Sequence, residues 1–551
     1  MKTKLATMVY LILLMLSNAC TGTPDEATTP QEEAAATGQQ GVEGHNEESR
    51  QQETAASGVS IATTTTYPRP GGVESLRTTT ELGYWDSERA CNGYTLFAAS
   101  GTTFLIDMEG YVVHSWSIGT NPRLLDNGHL LDAATDDPSG FSGFKELDWE
   151  GNVVWEYYET RGDYHPHHDW VRIFNESLGD WTTLYIANRD LTHQECIAAG
   201  CNPSDGAQID CIVEVNMNGD IVWEWSFFDH LVQDVVPSAD NYVEAGKTIA
   251  DYPGRLNANL PGRPLKRDWL HCNSLDFNAS RDEIVINCVQ GEFYVIDHGC
   301  TFVAGNRDQS VALAAGPAGD FLYRFGDPAR YEQGDPPSIL EDWTASTTGN
   351  KQIGGSHDIQ WIDDGLTGEG HFLVFNNGQY LFECTPQSYI FEVDGFVGRT
   401  DTEKDEYVNP PDAGYWTWTS EDNKDSHKQP KLISNQVVWL YSSKSNQSFF
   451  SHIGSGCQRL PNGNTLICAD TEGHIFEITA EGEMVWEYIN PVTRDGAVEV
   501  LPDCYPMTNA VFRAYRYTED HPALAGRTLT AQGLVTELYD SLKSHGRNGG
   551  Q

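Results

Sequence analysis

Apolar and polar positions along this chain repeat in a fixed phrase. A glycine, once an asparagine, is followed three residues on by an aliphatic residue, four on by an aromatic (once a histidine) and six on by another aromatic. The six copies begin at Gly110, Gly151, Gly219, Gly319, Asn435 and Gly482, and close on Trp116, Tyr157, Trp225, Phe325, Tyr441 and Tyr488. In the clearest copies an Asp or Asn stands three before the glycine, as at Asp107, Asp148 and Asn216. The phrase reads as a tight turn needing positive φ, feeding a strand with apolar residues on alternate positions. Self-similar hairpins spread over hundreds of residues mark radial β repetition, in which each unit buries its face against its neighbours. The six copies predict an all-β fold, a six-bladed β-propeller. A β-sandwich with repeated hairpin turns is the alternative. The run Ala510-Val511-Phe512 predicts that the segment from Asn509 to Tyr517 helps to close the ring.

Composition agrees with this picture. Among 551 residues, 15 Trp, 24 Tyr, 21 Phe and 52 Gly suit short aromatic strands and many turns. The formal net charge is −46, and nearly all of it lies from Tyr67 onward, so the acidity belongs to the folded part. Nucleic-acid binding is thereby disfavoured, because phosphates would be repelled.

The N-terminal segment predicts an address. Lys2 and Lys4 precede the apolar run Leu5 to Leu16, which ends in Ser17-Asn18-Ala19-Cys20. This is the form of a secretory signal, with Cys20 placed as in a bacterial lipobox although Ser17 stands where an aliphatic residue is usual. The expected organisation is a lipoprotein signal peptide at 1–19, a lipid-anchored low-complexity linker at 20–70 and a propeller at 71–545. Thr21 to Thr66 holds almost no large apolar residue, so it is expected to be a disordered stalk. The expected location is therefore outside the cytoplasm, anchored to a bacterial membrane through lipid alone. An oxidising compartment allows disulfides among the remaining cysteines. Cys196 and Cys201 could close a small ring, while Cys457 and Cys468 could equally be buried, unpaired strand residues. The chain has no CxxC pair, which argues against a structural zinc site.

Histidines recur just ahead of the predicted inner strands. They include His165, His167 and His168 before Asp169-Trp170-Val171, His271 in Trp269-Leu270-His271-Cys272-Asn273, His357 before Asp358-Ile359, and His452. His168 and His357 share one phase, each followed by an Asp and an alternating strand. Such imidazoles could form a central ring serving as nucleophile with acid/base partners, as metal ligands, or as a hydrogen-bonded plug. His474 opens a later strand and would not be selected by this motif.

Several stretches resemble the bacterial arylsulfate sulfotransferase family. They are Asn92-Gly93-Tyr94-Thr95-Leu96-Phe97, Leu105 to Gly110, Trp269 to Ser274, Ser356-His357-Asp358, Phe375-Asn376-Asn377-Gly378, and Leu460 to Thr465 with Val485-Trp486-Glu487-Tyr488. The resemblance extends roughly from Gly83 to Tyr517. It implies a six-bladed propeller that moves a sulfuryl group from an aryl sulfate donor to a phenolic acceptor, ping-pong, through a sulfated histidine. No cofactor and no phosphoadenosine phosphosulfate are implied. By motif it assigns channel histidines to His357 and His271, and it places the nucleophile on His474 through Gly473-His474-Ile475-Phe476. His168 is expected to assist, and Asn273 and Asn376 are expected to hold sulfuryl oxygens. The family's arginine after the Asn-Gly turn is missing, since the stretch reads Asn377-Gly378-Gln379-Tyr380. A sulfuryl transition state spreads negative charge over its oxygens, so another cation is expected. Arg513 and Arg516 are the candidates, with Arg324 behind them.

Three function classes follow from these observations. The first is a sulfuryl transferase, or a sulfate-ester hydrolase on the same scaffold. The second is a surface-tethered binding propeller without turnover. The third is a metal site on His168, His271 and His357 with Asp169 or Asp358.

Overall fold

The computed structural model describes residues 81–134, 141–201, 206–260, 267–336, 349–378, 388–398, 406–418, 431–443, 449–498, 500 and 508–539, with strand segments at 53–54, 60–64, 338–339 and 345–347. Its strands form six blades around an axis. Blade 1 pairs Ala514–Thr518 with Gly93–Ala99, Thr102–Ile106 and Val112–Trp116. The innermost strand of the first blade thus comes from the far end of the chain, which closes the ring as expected of the segment Asn509 to Tyr517. The run Ala510-Val511-Phe512 lies before this strand and not in it. Blade 2 runs outward from Arg123–Leu124 to Val153–Tyr158, and blade 3 from Tyr164–Asn175 to Ile221–Ser226. Blade 4 runs from Cys272–Asn278 to Tyr323–Phe325, blade 5 from His357–Trp361 to Val437–Ser443, and blade 6 from Gly456–Arg459 to Met484–Ile489.

The repeated phrase builds the outermost strands. Gly110, Gly151, Gly219 and Gly482 have φ of 87°, 84°, 85° and 83°. Their amides donate to the carbonyls three residues earlier, at 3.1, 3.0, 3.0 and 2.9 Å. After each such turn the ladder slips by one residue, as expected of a turn closed by a bulge glycine. Gly319 and Asn435 keep the sequence pattern without the positive φ, and Gly319 ends a 3-10 turn instead.

The aromatics of the phrase hold blades together. The Trp155 indole N–H donates to Met217 O in the next blade's turn at 3.0 Å, and Trp439 donates likewise to Ala480 O at 3.0 Å. Trp486 donates to Met108 O at 3.0 Å and so joins blade 6 to blade 1. A buried indole brings large apolar area and one donor that needs a partner, and the neighbouring turn supplies it. The apolar core accordingly lies between blades: Leu184 and Ile186 of blade 3 share one cluster with Leu275 and Ile286 of blade 4.

Two segments of the stretch expected to be a disordered linker are paired. Ser60–Thr64 runs parallel to Val437–Ser443 on the outer edge of blade 5, and Glu53–Thr54 pairs with it. An edge strand needs only backbone partners and β-favouring residues, which Ser-Ile-Ala-Thr-Thr supplies. Cys20 and the signal segment lie outside the described residues, as do Cys384 and Gln379. Cys196 and Cys201 are not bridged, and Cys457 and Cys468 are buried free thiols. A disulfide joins Cys272 to Cys288 across the two inner strands of blade 4, a pairing that the sequence spacing did not suggest.

Candidate functional site

Each blade begins its innermost strand at the same end of the channel, and in blades 3, 4 and 5 that strand bulges there. The ladder slips between Pro166 and Trp170, between Cys272 and Ser274, and between His357 and Gln360. Within or beside these bulges His168, His271 and Asp358 have φ of 57°, 52° and 54°. Left-handed backbone at a residue with a Cβ costs about 1 kcal/mol or more and persists only where surrounding structure fixes it. The bulges turn histidines out of the regular alternation and toward one another. The His168 and His271 rings stand 4.6 Å apart, edge to face. His357 is near enough for its charge to weigh on His168, and His271 weighs on His357 in turn.

The three imidazoles differ in protonation. Burial, followed by neighbouring His167 and His271, pulls His168 well below the ordinary histidine value. Burial also pulls His357 down to about 4, with Arg513 adding to the effect, against the hydrogen bonds that His357 makes to Asn377 and Gly355. Burial pulls on His271 as well, but there the Asp268 carboxylate outweighs it and raises the imidazole above its usual value. His271 Nδ1 lies 2.6 Å from Asp268 Oδ2. Near neutrality the cluster therefore contains one imidazole inclined to hold its proton and two held neutral.

Tautomers follow from the partners. His357 Nδ1 meets two acceptors, Gly355 O and Asn377 Oδ1, both at 2.8 Å. Asn377 is oriented by its own donation to Ser451 O and Gly454 O. The proton of His357 thus sits on Nδ1, and its lone pair is on Nε2. Beside His168, His167 Nδ1 approaches His168 Nδ1 to 2.8 Å.

Beneath the histidines lies a buried ionic layer. Arg513, just before the closing strand, places Nη1 2.8 Å from Asp169 Oδ2 and Nε 3.1 Å from Asp358 Oδ1. Its Nη2 donates to Asn273 O at 3.1 Å. Arg123 adds a second cation 2.9 Å from Asp169 Oδ1. The shared phase of His168-Asp169 and His357-Asp358 has a structural meaning here: each histidine joins the cluster and each aspartate grips Arg513.

Other expected site residues stand elsewhere. His474 begins the third strand of blade 6, about 10 Å outward from the innermost strand at normal strand spacing. It is 1% exposed, stacks on Phe476 and lies 3.2 Å from Glu487 Oε1. The structure does not bring it to the other histidines. Arg516 is turned between blades 6 and 1, with Nη1 on Cys91 O at 2.6 Å and 3.2 Å from Glu477 Oε2. Alternation along a strand explains this, because Arg513 precedes the strand and Arg516 faces the sheet interior. Arg324 is locked on Glu292 in blade 4. The Asn273 amide is fully buried, donates to Ser356 O and accepts from Ser274 and Asn287. Asn376 is used by Gly354 N, Gly378 N and Gln352 O. Both asparagines brace the loop carrying His357, so they are not free to hold a ligand's oxygens. His452 is exposed on the connection into blade 6. Among the described residues no group of three or more His, Cys, Asp or Glu is arranged to hold a metal ion, which leaves the metal reading without a site.

Sequence reasoning missed Asp268, Asn377 and Arg123, and also Asp210, which lies 3.2 Å from His167 Nε2. Asp268 stands three residues before His271, a spacing that could have signalled a partner.

The sequence model described as Arylsulfotransferase (ASST) matches residues 92–394, more than half of the chain. No curated protein matches. Solved structures that are similar include a protein of unknown function from Bacteroides caccae, at 11% identity over 77% of this chain and 100% of that one, TM-score 0.36. The C-terminal domain of Pseudomonas aeruginosa PilY1 is 10% identical over 76% and 86%, TM-score 0.31. A streptogramin B lyase is 10% identical over 76% and 89%, TM-score 0.26. Likenesses at these scores carry no argument about fold or function.

Proposed function

The chain belongs to the arylsulfotransferase family, and on that premise we propose that it moves a sulfuryl group from an aryl sulfate ester to a phenolic acceptor, in two steps, through a sulfohistidine. The observation that supports this reading most is the division of labour in the cluster: His271 raised by Asp268, His168 and His357 held neutral. Group transfer between two phenols needs that division, a lone pair to receive sulfur and a proton for the departing oxygen.

His168 is the proposed nucleophile. It is half-buried where His357 is 2% exposed, and its ring adjoins that of His271. In the first step the His168 Nε2 lone pair attacks sulfur, the sulfur–oxygen bond breaks, and its electron pair leaves with the aryl oxygen. The His271 Nε2 proton passes to that oxygen. In the second step the acceptor oxygen attacks sulfur, and the sulfur–nitrogen pair returns to His168. The acceptor's proton passes to His271, which the first step left neutral. A neutral, weakly basic imidazole is available at pH 7 and is also a good leaving group in the return step. His357, with its lone pair on Nε2, stays neutral in this reading and takes no proton in either step. Water in place of the phenol would give the hydrolase reading from the same intermediate.

The charge of Arg513 is divided between Asp169 and Asp358. It acts in this reading as the strut beneath the site, and the positive charge near the sulfuryl oxygens comes from His271. The binding-propeller alternative predicts no chemistry at all. Phenol-dependent release of 4-nitrophenol from 4-nitrophenyl sulfate, with parallel double-reciprocal plots and loss in His168→Ala, tests the proposal. An inert wild-type protein sinks it.

We further propose, from Lys2, Lys4, the apolar run and Cys20, that the protein is exported and lipid-anchored to a bacterial membrane. Labelling with a fatty acid that is lost in Cys20→Ala tests this.

A further inference from the structure

Behind His168 stands a chain of groups that the reaction above does not use. His167 Nδ1 is 2.8 Å from His168 Nδ1, and His167 Nε2 is 3.2 Å from Asp210 Oδ1. Asp210 lies on the third strand of blade 3 and is 0% exposed. Its Oδ1 accepts the Cys272 amide at 3.1 Å, and its Oδ2 has no hydrogen-bond partner among the described residues. No arginine or lysine pairs with it among the described residues. A buried carboxylate without a cation is costly, so Asp210 is best satisfied when positive charge appears on the imidazoles before it.

The chain fixes where protons sit. His167 Nε2 makes no formed hydrogen bond among the described residues, but Asp210 Oδ1 is 3.2 Å away and a carboxylate only accepts, so a His167 proton on Nε2 is the one this charge attracts. That leaves His167 Nδ1 as an acceptor, so the shared proton belongs to His168 Nδ1. The His168 lone pair is then on Nε2.

We propose that Asp210 and His167 are positioning residues for His168, holding it in the tautomer with its lone pair on Nε2 and sharing the positive charge created when that nitrogen is sulfated. The inference rests on the sulfuryl-transfer reading and deepens it. When Nε2 bonds to sulfur the ring becomes cationic, its Nδ1 proton moves toward His167, and His167 leans its Nε2 proton on Asp210. Nothing is consumed, and the protons return when sulfur leaves. The charged and titratable groups facing His168 are His167 from its own strand, His271 from blade 4, His357 from blade 5 and Arg513 from the closing segment. Asp210 also acts on His271, and His167 on Asp268.

Two measurements on the full chain test this. Asp210→Asn keeps an oxygen for the Cys272 amide but removes the charge. With 4-nitrophenyl sulfate alone, rapid mixing of Asp210→Asn and His167→Gln should show the burst of 4-nitrophenol slowed by about 10²-fold, as expected for a misplaced tautomer and lost charge support. KM should change less than about threefold, because neither residue touches the substrate. His167→Asn, whose amide oxygen can accept the His168 Nδ1 proton, should recover part of the rate that His167→Gln loses. A burst rate unchanged in Asp210→Asn overturns the proposal, as does a loss confined to KM.

The second measurement needs no turnover. Nitrogen-15 NMR of histidine-labelled protein, with His168→Gln used for assignment, should show His168 protonated on Nδ1 at pH 7 in wild type and mixed between tautomers in Asp210→Asn. An Nε2-protonated His168 in wild type overturns the proposal. If wild type turns over no aryl sulfate while this tautomer shift is seen, the relay stands and the sulfuryl reading fails.

Discussion

Arg513 Nη1 lies 2.8 Å from Asp169 Oδ2, with both side chains 1% exposed, and this contact ties the closing segment to blade 3 directly beneath the histidines. Asp169 is held below the usual carboxylate value: burial pushes it up, and Arg513 and Arg123 more than offset that. Removing one partner of such a pair leaves uncompensated buried charge. Arg513→Ala should therefore lower unfolding stability by about 3–5 kcal/mol, read from the urea midpoint and slope. Arg513→Lys should lose less, since it keeps the charge but cannot reach Asp169, Asp358 and Asn273 O together. A loss under about 1 kcal/mol in the alanine variant would contradict the strut role.

Ring closure rests partly on one indole. Trp486 is fully buried, donates to Met108 O, and has the Arg516 guanidinium 4.6 Å above its ring. Trp486→Phe removes the donor and leaves a carbonyl and a void, at a cost of about 1–3 kcal/mol. Trp155→Phe, at a half-buried position between blades 2 and 3, should cost less. Equal losses in the two variants would mean that the closing interface is no different from the others.

His298 makes stability depend on pH. Burial pulls its pKa down, but Asp282 at 2.6 Å and Glu214 at 3.1 Å outweigh that and raise it to about 9. Because the folded value lies above the unfolded one, the stabilisation is complete below about pH 6.5 and disappears as pH rises through about 9. Its full size is roughly 3 kcal/mol. Wild type minus His298→Gln, followed by denaturation between pH 6 and 10, isolates this group from the buried acids that also titrate. A difference that does not shrink with rising pH would be contrary to this assignment.

The acid role of His271 makes a kinetic prediction. Asp268 raises the His271 pKa against the pull of burial. An acid must be protonated to act, so activity should fall as pH rises through that pKa. Asp268→Asn lowers the pKa and should move the alkaline limb of the kcat/KM profile to lower pH, while the acid limb stays in place. An unmoved alkaline limb would remove His271 from that role.

The six-blade architecture was legible because the turn chemistry repeats. A bulge glycine and a tryptophan donor are local requirements, so they leave a fixed spacing in the chain. Gly319 and Asn435 show the limit of that signal, since the strand pattern survives there without the glycine conformation. The cluster was partly legible: the shared phase of His168 and His357 reflects bulges at equivalent points of two blades. His271 fits the phase less well because its bulge follows it, at Cys272-Asn273. His474 follows from the resemblance over Gly473 to Phe476 and not from the histidine phase, yet a third strand lies well outside the channel, and sequence spacing does not report radial position. The asparagines misled for a related reason: polar residues beside a site also brace its loops, and only the hydrogen-bond partners tell these uses apart. The Cys272–Cys288 bridge depended on register between adjacent strands, which spacing alone does not give.

The measurement that tests the central claim most directly is peptide mapping of the protein after incubation with an aryl sulfate and no acceptor, under conditions that preserve the nitrogen–sulfur bond of a sulfohistidine. The account predicts a mass gain of one sulfuryl group on the peptide carrying His168. The gain should be discharged by added phenol, absent from His168→Ala and retained in His474→Ala. An adduct on His474, or none on any histidine while phenol-dependent transfer proceeds, would contradict it.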